Sequence, residues 1–341
     1  MNITGIVMTA GYQGNREQTP PGTGIAGEPL RTVLGDELKG LRLDQALAHC
    51  FPTYSRTTLK RWILDGKVRV DRKPSRPRDP VRGGEQVEVW AQAESGGDWQ
   101  PQPIVLDILY EDQDLIVLNK PAGLVVHPGA GNRDGTLLNA LLHFEPALVT
   151  LPRAGIVHRL DKGTSGAMVV ARSPRAQTKL VRGLSARSLR REYQAVINGL
   201  PIAGGAVNAP IGRHPSQRTR MAVTERGKPA RTHYRVIKRF RAHTHLRVSL
   251  DSGRTHQIRV HMAHLGYPLL GDPLYGGRLR LSPSATPNLT ACLKGFKRQA
   301  LHAARLALRH PGTDEILEWS APLPPDFKAL LAALAADLAA A

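Results

Sequence analysis

A single carboxylate lies within a strongly basic part of the sequence. Asp161 is the only acidic residue between Arg153 and Arg191, a stretch that contains ten Lys or Arg residues. A carboxylate among cations is held ionised, an ionised carboxylate on a turn can act as a nucleophile, and the cations suit a polyanionic substrate. However, Asp followed by Lys-Gly is also ordinary turn chemistry, so the local pattern fits a turn cap as well as a catalytic group.

Three further segments place polar residues at predicted strand ends or helix starts. Residues 119–128 run from a strand end into a Pro and Gly turn, and residues 191–193 (Arg-Glu-Tyr) enter a strand. Residues 253–261 form a glycine turn that leads into a capped helix start near Thr255. Backbone N–H groups and cations at such a corner attract anions, so Arg254 and His256 are predicted to bind RNA or another polyanion.

The overall charge indicates the class of partner. The net charge is +19, from 47 Lys and Arg against 28 Asp and Glu, which favours a phosphate-rich partner. Anionic lipid usually requires a basic amphipathic helix or a lipidation signal, and the sequence contains neither. Nucleic acid is therefore the predicted partner, bound in a salt-sensitive way. Aromatic residues are 5% of the chain, too few for a surface built mainly to stack single-stranded bases.

The cysteines and the hydrophobic pattern indicate the compartment. The two cysteines, Cys50 and Cys292, are far apart and form no CxxC pair, which argues against a disulfide framework or a zinc ribbon. The N-terminal residues lack a signal-peptide pattern, and no apolar stretch reaches the roughly 20 residues of a membrane helix. A reduced, cytoplasmic protein without a membrane partner is expected.

Composition predicts the domain organisation. Residues 1–35 are rich in Gly, Thr and Pro and are expected to be a flexible leader. Residues 91–103 have the composition of a linker, and the Ala-rich residues 329–341 are assigned as a tail. Two domains are therefore predicted, at residues 36–90 and 104–328.

The first domain is predicted to contain two helices followed by strands. Leu43, Ala46, Leu47 and Cys50 recur at helical spacing, and Ser55 could cap a second helix that ends near Gly66. Short alternating runs at 67–70 and 86–89 then predict strands.

Ten basic and three acidic residues lie between Arg56 and Arg82, which fits either a solvated face or an RNA-binding face. Segments Arg42 to Leu47, Ser55 to Leu59 and Trp62 to Val68 resemble the S4-type RNA-binding domain. The resemblance implies a small α/β domain whose RNA phosphate contacts are Arg56, Lys60 and Arg61.

The second domain is predicted to have an α+β fold. Strand patterns do not alternate one for one with helix patterns, so a mixed, mainly antiparallel sheet is favoured over a doubly wound parallel one. Predicted strands cover residues 104–110, 115–119, 167–171, 192–197, 233–237, 246–250 and 316–319; helices cover 136–142 and 173–184, with a third from Thr255.

The four polar segments together resemble the RluA-type pseudouridine synthases. The similarity continues through residues 210–215, 227–234, 271–277 and 299–303 and covers about residues 36–330. The S4-type domain in front narrows it to the RluD type, which acts on large-subunit ribosomal RNA. The resemblance implies isomerisation of uridine to pseudouridine in 23S ribosomal RNA, at positions 1911, 1915 and 1917, by a monomer without cofactor or metal. Other rRNA or tRNA uridines are the alternative target.

The resemblance also implies roles for individual residues. Asp161 is the catalytic aspartate, acting at the anomeric carbon either as covalent nucleophile or as proton abstractor. Arg259 pairs with Asp161, and Tyr193 packs on the uracil and takes the C5 proton. Arg159 contacts the flipped-out nucleotide or the gap that it leaves, and Lys120 supports the site among the RNA-binding residues. A surface phosphate contact is the alternative for Arg259, and a core position for Tyr193.

Two other classes of function fit the sequence less well. A metal-dependent hydrolase would use His256, His261 and His264, with His243 or His245, but no HExxH motif or Asp-rich partner occurs. A non-enzymatic RNA-binding assembly factor would not require Asp161, Tyr193 and Arg259. Gly163 departs from the acidic or polar residue expected at its position.

Overall fold

The protein is described from a computed structural model. The structure describes residues 29–51, 54, 56–91, 99–129, 131–217, 219–279, 281 and 284–340. The chain divides into two compact units, Met1–Gln92 and Ala93–Ala341. No helix of the described residues is long and apolar enough to cross a membrane.

The first unit packs two helices against a small antiparallel sheet. Its elements are β1 Leu30–Val33, α1 Leu43–Cys50, α2 Arg56–Leu64, β2 Val68–Val70, β3 Lys73–Pro74 and β4 Gln86–Val89. The strand order is β1-β4-β2-β3. The apolar positions predicted for the two helices form the core, with Leu47, Leu59 and Trp62 buried. The two predicted helices and the strand runs are thus present; Ser55, predicted to cap α2, lies outside the described residues.

The boundaries of the predicted leader and linker need correction. β1 lies inside the predicted leader and pairs with β4 from Leu30 to Val33, so the folded unit begins before residue 36. In the predicted linker, Trp99 packs against the core of the second unit. Gln100 O accepts a hydrogen bond from Asn139 Nδ2, at 2.8 Å. These backbone and core contacts attach the chain to the second unit from Trp99, before residue 104; residues 92–98 lie outside the described residues.

The second unit is built on one large sheet with helices on both faces. Its elements are β5 Ile108–Glu111, β6 Leu115–Lys120, α3 Leu137–Phe144, β7 Ser165–Ala171, α4 Pro174–Ser185, β8 Arg190–Asn198, β9 Gly205–Asn208, β10 Ile211–Arg213, β11 Met221–Val223, β12 Arg231–Arg239, β13 His243–Leu250, α5 Gln257–His264, α6 Pro287–Gly295, β14 Leu301–Arg309, β15 Ile316–Ser320 and α7 Pro325–Ala339.

The large sheet has nine strands in the order β5-β6-β7-β14-β8-β13-β12-β9, with β15 paired to β14. Only the β7–β14 pair is parallel among the described strand pairs. The predicted mixed, mainly antiparallel α+β sheet is therefore confirmed. β10 and β11 form a separate hairpin.

The predicted elements of this unit were incomplete at its centre and at its end. β14 was not predicted as a strand, although it lies between β7 and β8 in the middle of the sheet. The predicted Ala-rich tail is also wrong as a separate segment, because α7 continues through it. Leu330, Ala333 and Leu334 of α7 are buried against α6. This burial follows from the apolar face that the Ala and Leu residues form at helical spacing.

The two faces of the sheet carry different helices. On one face α3 and α5 cover alternate residues of β6, β7, β8 and β14, including Tyr193 and Leu301. On the other face α4 packs against β6, β7 and β14, and α6 and α7 pack near Val196. Because side chains alternate along a strand, Tyr193 and Val196 point to opposite faces. The site residues belong to the α5 face.

Candidate active site

Asp161 and Arg259 form an ion pair. Asp161 lies on the turn before β7, where Thr164 N donates to Asp161 O at 2.9 Å. Arg259 lies in the first turn of α5, and its Nη1 donates to Asp161 Oδ2 at 3.0 Å. The Arg259 side chain is 4% exposed and that of Asp161 is 17% exposed. One carboxylate oxygen is thereby fixed, while Oδ1 accepts no hydrogen bond from the described residues.

A second carboxylate fixes Arg259 from behind. Asp272 Oδ2 accepts from Arg259 Nε at 2.7 Å, and Asp272 Oδ1 accepts from Arg259 Nη2 at 2.9 Å. The N–H groups of Leu274 and Tyr275 also donate to Asp272 Oδ1. Burial favours a raised pKa for Asp272, but the Arg259 hydrogen bonds and charge, with these N–H groups, lower it. This bidentate pair sets the plane of the guanidinium that faces Asp161.

Tyr193 reaches the same cavity from β8. Asp161, Tyr193, Arg259 and Leu301 line a cavity of about 50 Å³. Burial raises the pKa of Tyr193, Asp161 adds to the rise, and Arg191 opposes it. The phenol is therefore protonated at neutral pH.

His256 is held beside the free oxygen of Asp161. Its Nε2 is 3.9 Å from Asp161 Oδ1, and its Nδ1 is 2.8 Å from the Tyr275 hydroxyl. That hydroxyl also accepts a hydrogen bond from Met221 N, at 2.9 Å, so the imidazole ring is fixed in position beside Asp161. Burial, with help from Arg259 and Arg159, lowers the pKa of His256 despite the opposing charges of Asp161 and Asp272. A neutral imidazole leaves Oδ1 of Asp161 available.

The turn that carries Asp161 is bound on two sides. Gly123 N donates to Lys162 O at 2.7 Å, and Arg298 Nη1 donates to Gly163 O at 3.1 Å. A Cβ atom at position 163 would lie 2.6 Å from Gln299 Oε1. The unexpected glycine therefore allows the close approach of Gln299.

The cavity opens into a larger groove. The groove has a volume of about 870 Å³ and shares Arg159, Asp161, His256 and Arg259 with the small cavity. Its far wall is formed by α6, α7 and the segment 295–299. This volume lies within the range of small-ligand sites.

Comparison with known proteins identifies this arrangement. A model of the RNA pseudouridylate synthase family matches residues 114–264, and a model of the S4 domain matches residues 41–87. The ribosomal large subunit pseudouridine synthase D of Yersinia pestis is 56% identical over 309 residues, which are 90% of this chain and 95% of that protein. The protein of the same name from Escherichia coli K12 is 54% identical over 309 residues, again 90% and 95% of the two chains. The chain belongs to the RNA pseudouridine synthase family.

Solved structures agree with this assignment. Human RNA pseudouridylate synthase domain containing 1 has a TM-score of 0.52 and 25% identity, over 65% of this chain and 85% of that one. Human RNA pseudouridylate synthase domain containing 4 has a TM-score of 0.52 and 26% identity, over 67% and 93%. The predicted family, its enzyme class and the two domain types are confirmed.

Lys120 has a different position in this pseudouridine synthase from the one predicted. Its side chain is completely buried at the end of β6. Its Nζ donates to Pro121 O and Leu124 O at 2.7 and 2.8 Å, with Lys162 O at 3.4 Å. Burial lowers the pKa of Lys120 to about 7, against the raising effect of Asp161. We therefore correct the prediction that Lys120 binds RNA, because its ammonium group is enclosed by backbone carbonyls.

Replacing Lys120 with Met should lower stability and leave RNA affinity unchanged. Methionine fills the space but leaves the carbonyl groups without a donor, at an expected loss of roughly 2–4 kcal/mol in the free energy of unfolding. Denaturant unfolding and filter binding of rRNA measure the two effects. Lys162→Met is the matched control, because exposed Lys162 should affect RNA affinity rather than stability. An Lys120→Met protein of normal stability that binds RNA weakly would contradict the structural role.

The other predicted RNA-binding residues of this unit lie at the mouth of the site. Arg159 and Arg254 are exposed, and Arg254 Nε donates to Pro229 O at 3.3 Å. Arg159 lines the same cavity as Asp161. α5 begins at Gln257 rather than near Thr255, and His256 precedes it without a side-chain cap.

In the S4 unit, the three predicted residues all lie on α2. Lys60 and Arg61 are exposed. Arg56 Nη2 donates to the buried carboxylate of Asp44 at 2.9 Å, and 47% of the Arg56 side chain is exposed. Arg56 thus joins α2 to α1 while presenting part of its guanidinium to solvent.

The histidines considered for a metal site are used in other ways. Among the described residues, no three His, Cys, Asp or Glu side chains are placed to hold a metal ion. His261 Nε2 lies 2.9 Å from Ala209 O and its Nδ1 lies 2.8 Å from Thr232 Oγ1, so both ring nitrogens already have partners.

Sequence reasoning assigned no role to Asp272 and Tyr275. Both lie in residues 271–277, a segment used only as part of the family resemblance. The signal that could have singled out Asp272 is an acidic residue between Gly and Pro in a chain with few carboxylates. Its partner could not be read from the sequence, because Arg259 and Asp272 meet through the packing of a loop on α5.

Proposed function

We propose that the protein isomerises uridines to pseudouridine in 23S ribosomal RNA, with Asp161 acting at the anomeric carbon. The observation that carries this proposal is the Asp161–Arg259 pair in a cavity shared with Tyr193. Arg259 fixes one carboxylate oxygen and leaves Oδ1 to face the ribose C1′. A carboxylate in this position acts on carbon with oxocarbenium character, as in glycoside cleavage.

The remaining residues suit the handling of the base. Tyr193 packs on the uracil, and instead of the expected uptake of the C5 proton we assign it a donor role, because burial raises the pKa of the phenol and keeps it protonated. Arg159, Arg254 and His256 line the same cavity as Asp161, which supports a role for them in binding the incoming nucleotide. Asp161, Tyr193 and Arg259 belong to one chain, which supports a monomer, and a ribosomal RNA substrate supports a cytoplasmic enzyme.

The relatives' names support the choice of RNA. They are ribosomal large subunit enzymes, and their similarity extends over both units of this chain. We propose that α2 binds RNA phosphates through Lys60, Arg61 and the exposed part of Arg56. Such contacts position the RNA without reading its sequence. Positions 1911, 1915 and 1917 of 23S rRNA are the proposed targets.

Carbodiimide mapping of pseudouridine in total RNA tests this function. Cells with the gene should show reverse-transcription stops at the three target positions, and cells without it should lack them. Purified protein added to RNA from the deficient cells should restore the stops. If the stops in large-subunit RNA did not change while stops in tRNA or small-subunit RNA did, the proposed target would be wrong and the altered RNA would be the substrate.

A further inference from the structure

Arg191 is a partly buried cation that forms no hydrogen bond or ion pair through its side chain with the described residues. Its Nε is inaccessible and makes no hydrogen bond. Over the described parts of the chain, neither of its other guanidinium nitrogens has a hydrogen bond or ion pair. Burying an unpaired charge is costly, and structures usually pair it or bring a ligand to it. Arg259, by contrast, forms ion pairs with two carboxylates, Asp161 and Asp272.

Neighbouring residues hold Arg191 beside the active site. Arg191 and Tyr193 are two residues apart on β8 and therefore face the same side of the sheet. The guanidinium lies against the backbone at Gly253, where a Cβ atom would be 2.7 Å from Arg191 Nη1. Arg191 and Gly253 both line the cavity that contains Asp161. Glycine at 253 leaves room for the arginine beside the site.

Among the described residues no carboxylate forms an ion pair with Arg191, although Glu192 and Asp251 line a second pocket with it. His158 accepts a hydrogen bond from Val169 N at its Nε2, and burial together with Arg191 lowers its pKa to about 3, so it is neutral. Asp161 is already paired with Arg259. The cavity that contains Asp161 is a place where an electron-rich group of the substrate could bind Arg191.

The base of the target uridine fits this place better than a phosphate. Arg159 and Arg254 are exposed at the mouth, where the RNA backbone runs. Arg191 is less exposed than these two arginines and lines the cavity together with Tyr193 and the apolar residues Leu250, Ile258 and Leu301. An apolar wall with one aromatic ring suits a flat base rather than a strongly hydrated phosphate.

We propose that Arg191 contacts the uracil and stabilises the negative charge that the base acquires during the reaction. The inference rests on the proposed function. When the N1–C1′ bond breaks, its electron pair stays on the uracil, and the charge spreads over N1, O2, C5 and O4, while C1′ faces Asp161. The base turns, the electron pair at C5 forms the bond to C1′, the Asp161 carboxylate that this frees takes the C5 proton, and N1 takes a proton from water. A fixed cation beside the base lowers the energy of the anionic stage.

Arg191→Met and Arg191→Lys test the proposal. The substrate is an rRNA fragment with tritium at uracil C5, which is released when C5 bonds to C1′. Arg191→Met should lower the single-turnover rate about 100-fold. RNA affinity should stay within about two-fold, because many other cations bind the phosphates. Arg191→Lys should keep much of the rate at low pH and lose it as pH rises, since burial depresses a lysine pKa, whereas the wild-type guanidinium does not titrate there.

Arg190→Met is the matched control, because Arg190 is the exposed preceding residue on β8, and its rate should equal that of the wild type. Circular dichroism melts check folding. An unimpaired Arg191→Met enzyme, or equal losses of rate and affinity, would overturn the inference. If Arg191→Met does not fold, an Arg191→Lys enzyme that is inactive at every pH would also overturn it. A wild-type protein that modifies no uridine would refute the proposed function instead.

Discussion

Replacing Asp161 with Asn is expected to lower pseudouridine formation by about 10⁴-fold or more, while RNA binding is retained. The amide has nearly the same shape, and the turn is fixed by backbone contacts at Thr164, Lys162 and Gly163. Arg259 keeps its two hydrogen bonds to Asp272. What is lost is the charged oxygen that acts at C1′. Tritium release measures turnover, and filter binding measures RNA affinity.

The control for Asp161→Asn removes the same charge elsewhere. Asp314 is exposed on the turn between β14 and β15, and Asn tolerates its positive φ of 68°. Asp314→Asn should have normal turnover. The enzymatic role would fail if an Asp161→Ala protein restored pseudouridines in cells that lack the gene. That result would support an RNA-binding assembly factor instead.

The polar segments of the site were predictable as segments, but their contacts were not. The sequence indicates a role for Asp161 because it is an isolated carboxylate among cations. It indicates one for Arg259 because this residue follows a glycine turn at a helix start. The two are far apart in the chain, and only the packing of α5 against the sheet brings them to 3.0 Å. The contact of Asp272 with Arg259 was equally unpredictable, because it depends on the conformation of a loop, and a loop has no periodic sequence pattern.

Lys120 and β14 show how tertiary context changes the meaning of a local pattern. A lysine in a protein of net charge +19 suggests a phosphate contact. β6, however, is paired on both sides, and Lys120 is buried at its end, where backbone carbonyls accept its hydrogen bonds. β14 is rich in Ala, Leu and Arg, which favour helices. It becomes a strand because β7 and β8 both offer it backbone partners.

Replacing Arg259 with Ala should have the second large effect, on both turnover and stability. The change leaves Asp161 without its counter-charge and leaves Asp272, whose side chain is fully buried, as an unpaired carboxylate. Removing one partner of a buried ion pair costs roughly 3–5 kcal/mol of stability. Turnover should fall about 10³-fold with little change in RNA affinity, measured below the melting temperature of the variant.

A double variant separates the two effects. In Arg259→Met with Asp272→Leu, both charges are replaced by apolar side chains, which is often neutral for a buried pair, so the melting temperature should recover. Turnover should stay low, because Asp161 still lacks the guanidinium that orients it. Recovery of turnover with stability would mean that Arg259 acts only through the fold. Equal losses of RNA affinity and turnover in Arg259→Ala would instead make it a phosphate contact. A stable but inactive double variant would show that Asp272 supports the fold through Arg259, whereas Arg259 supports the chemistry through Asp161.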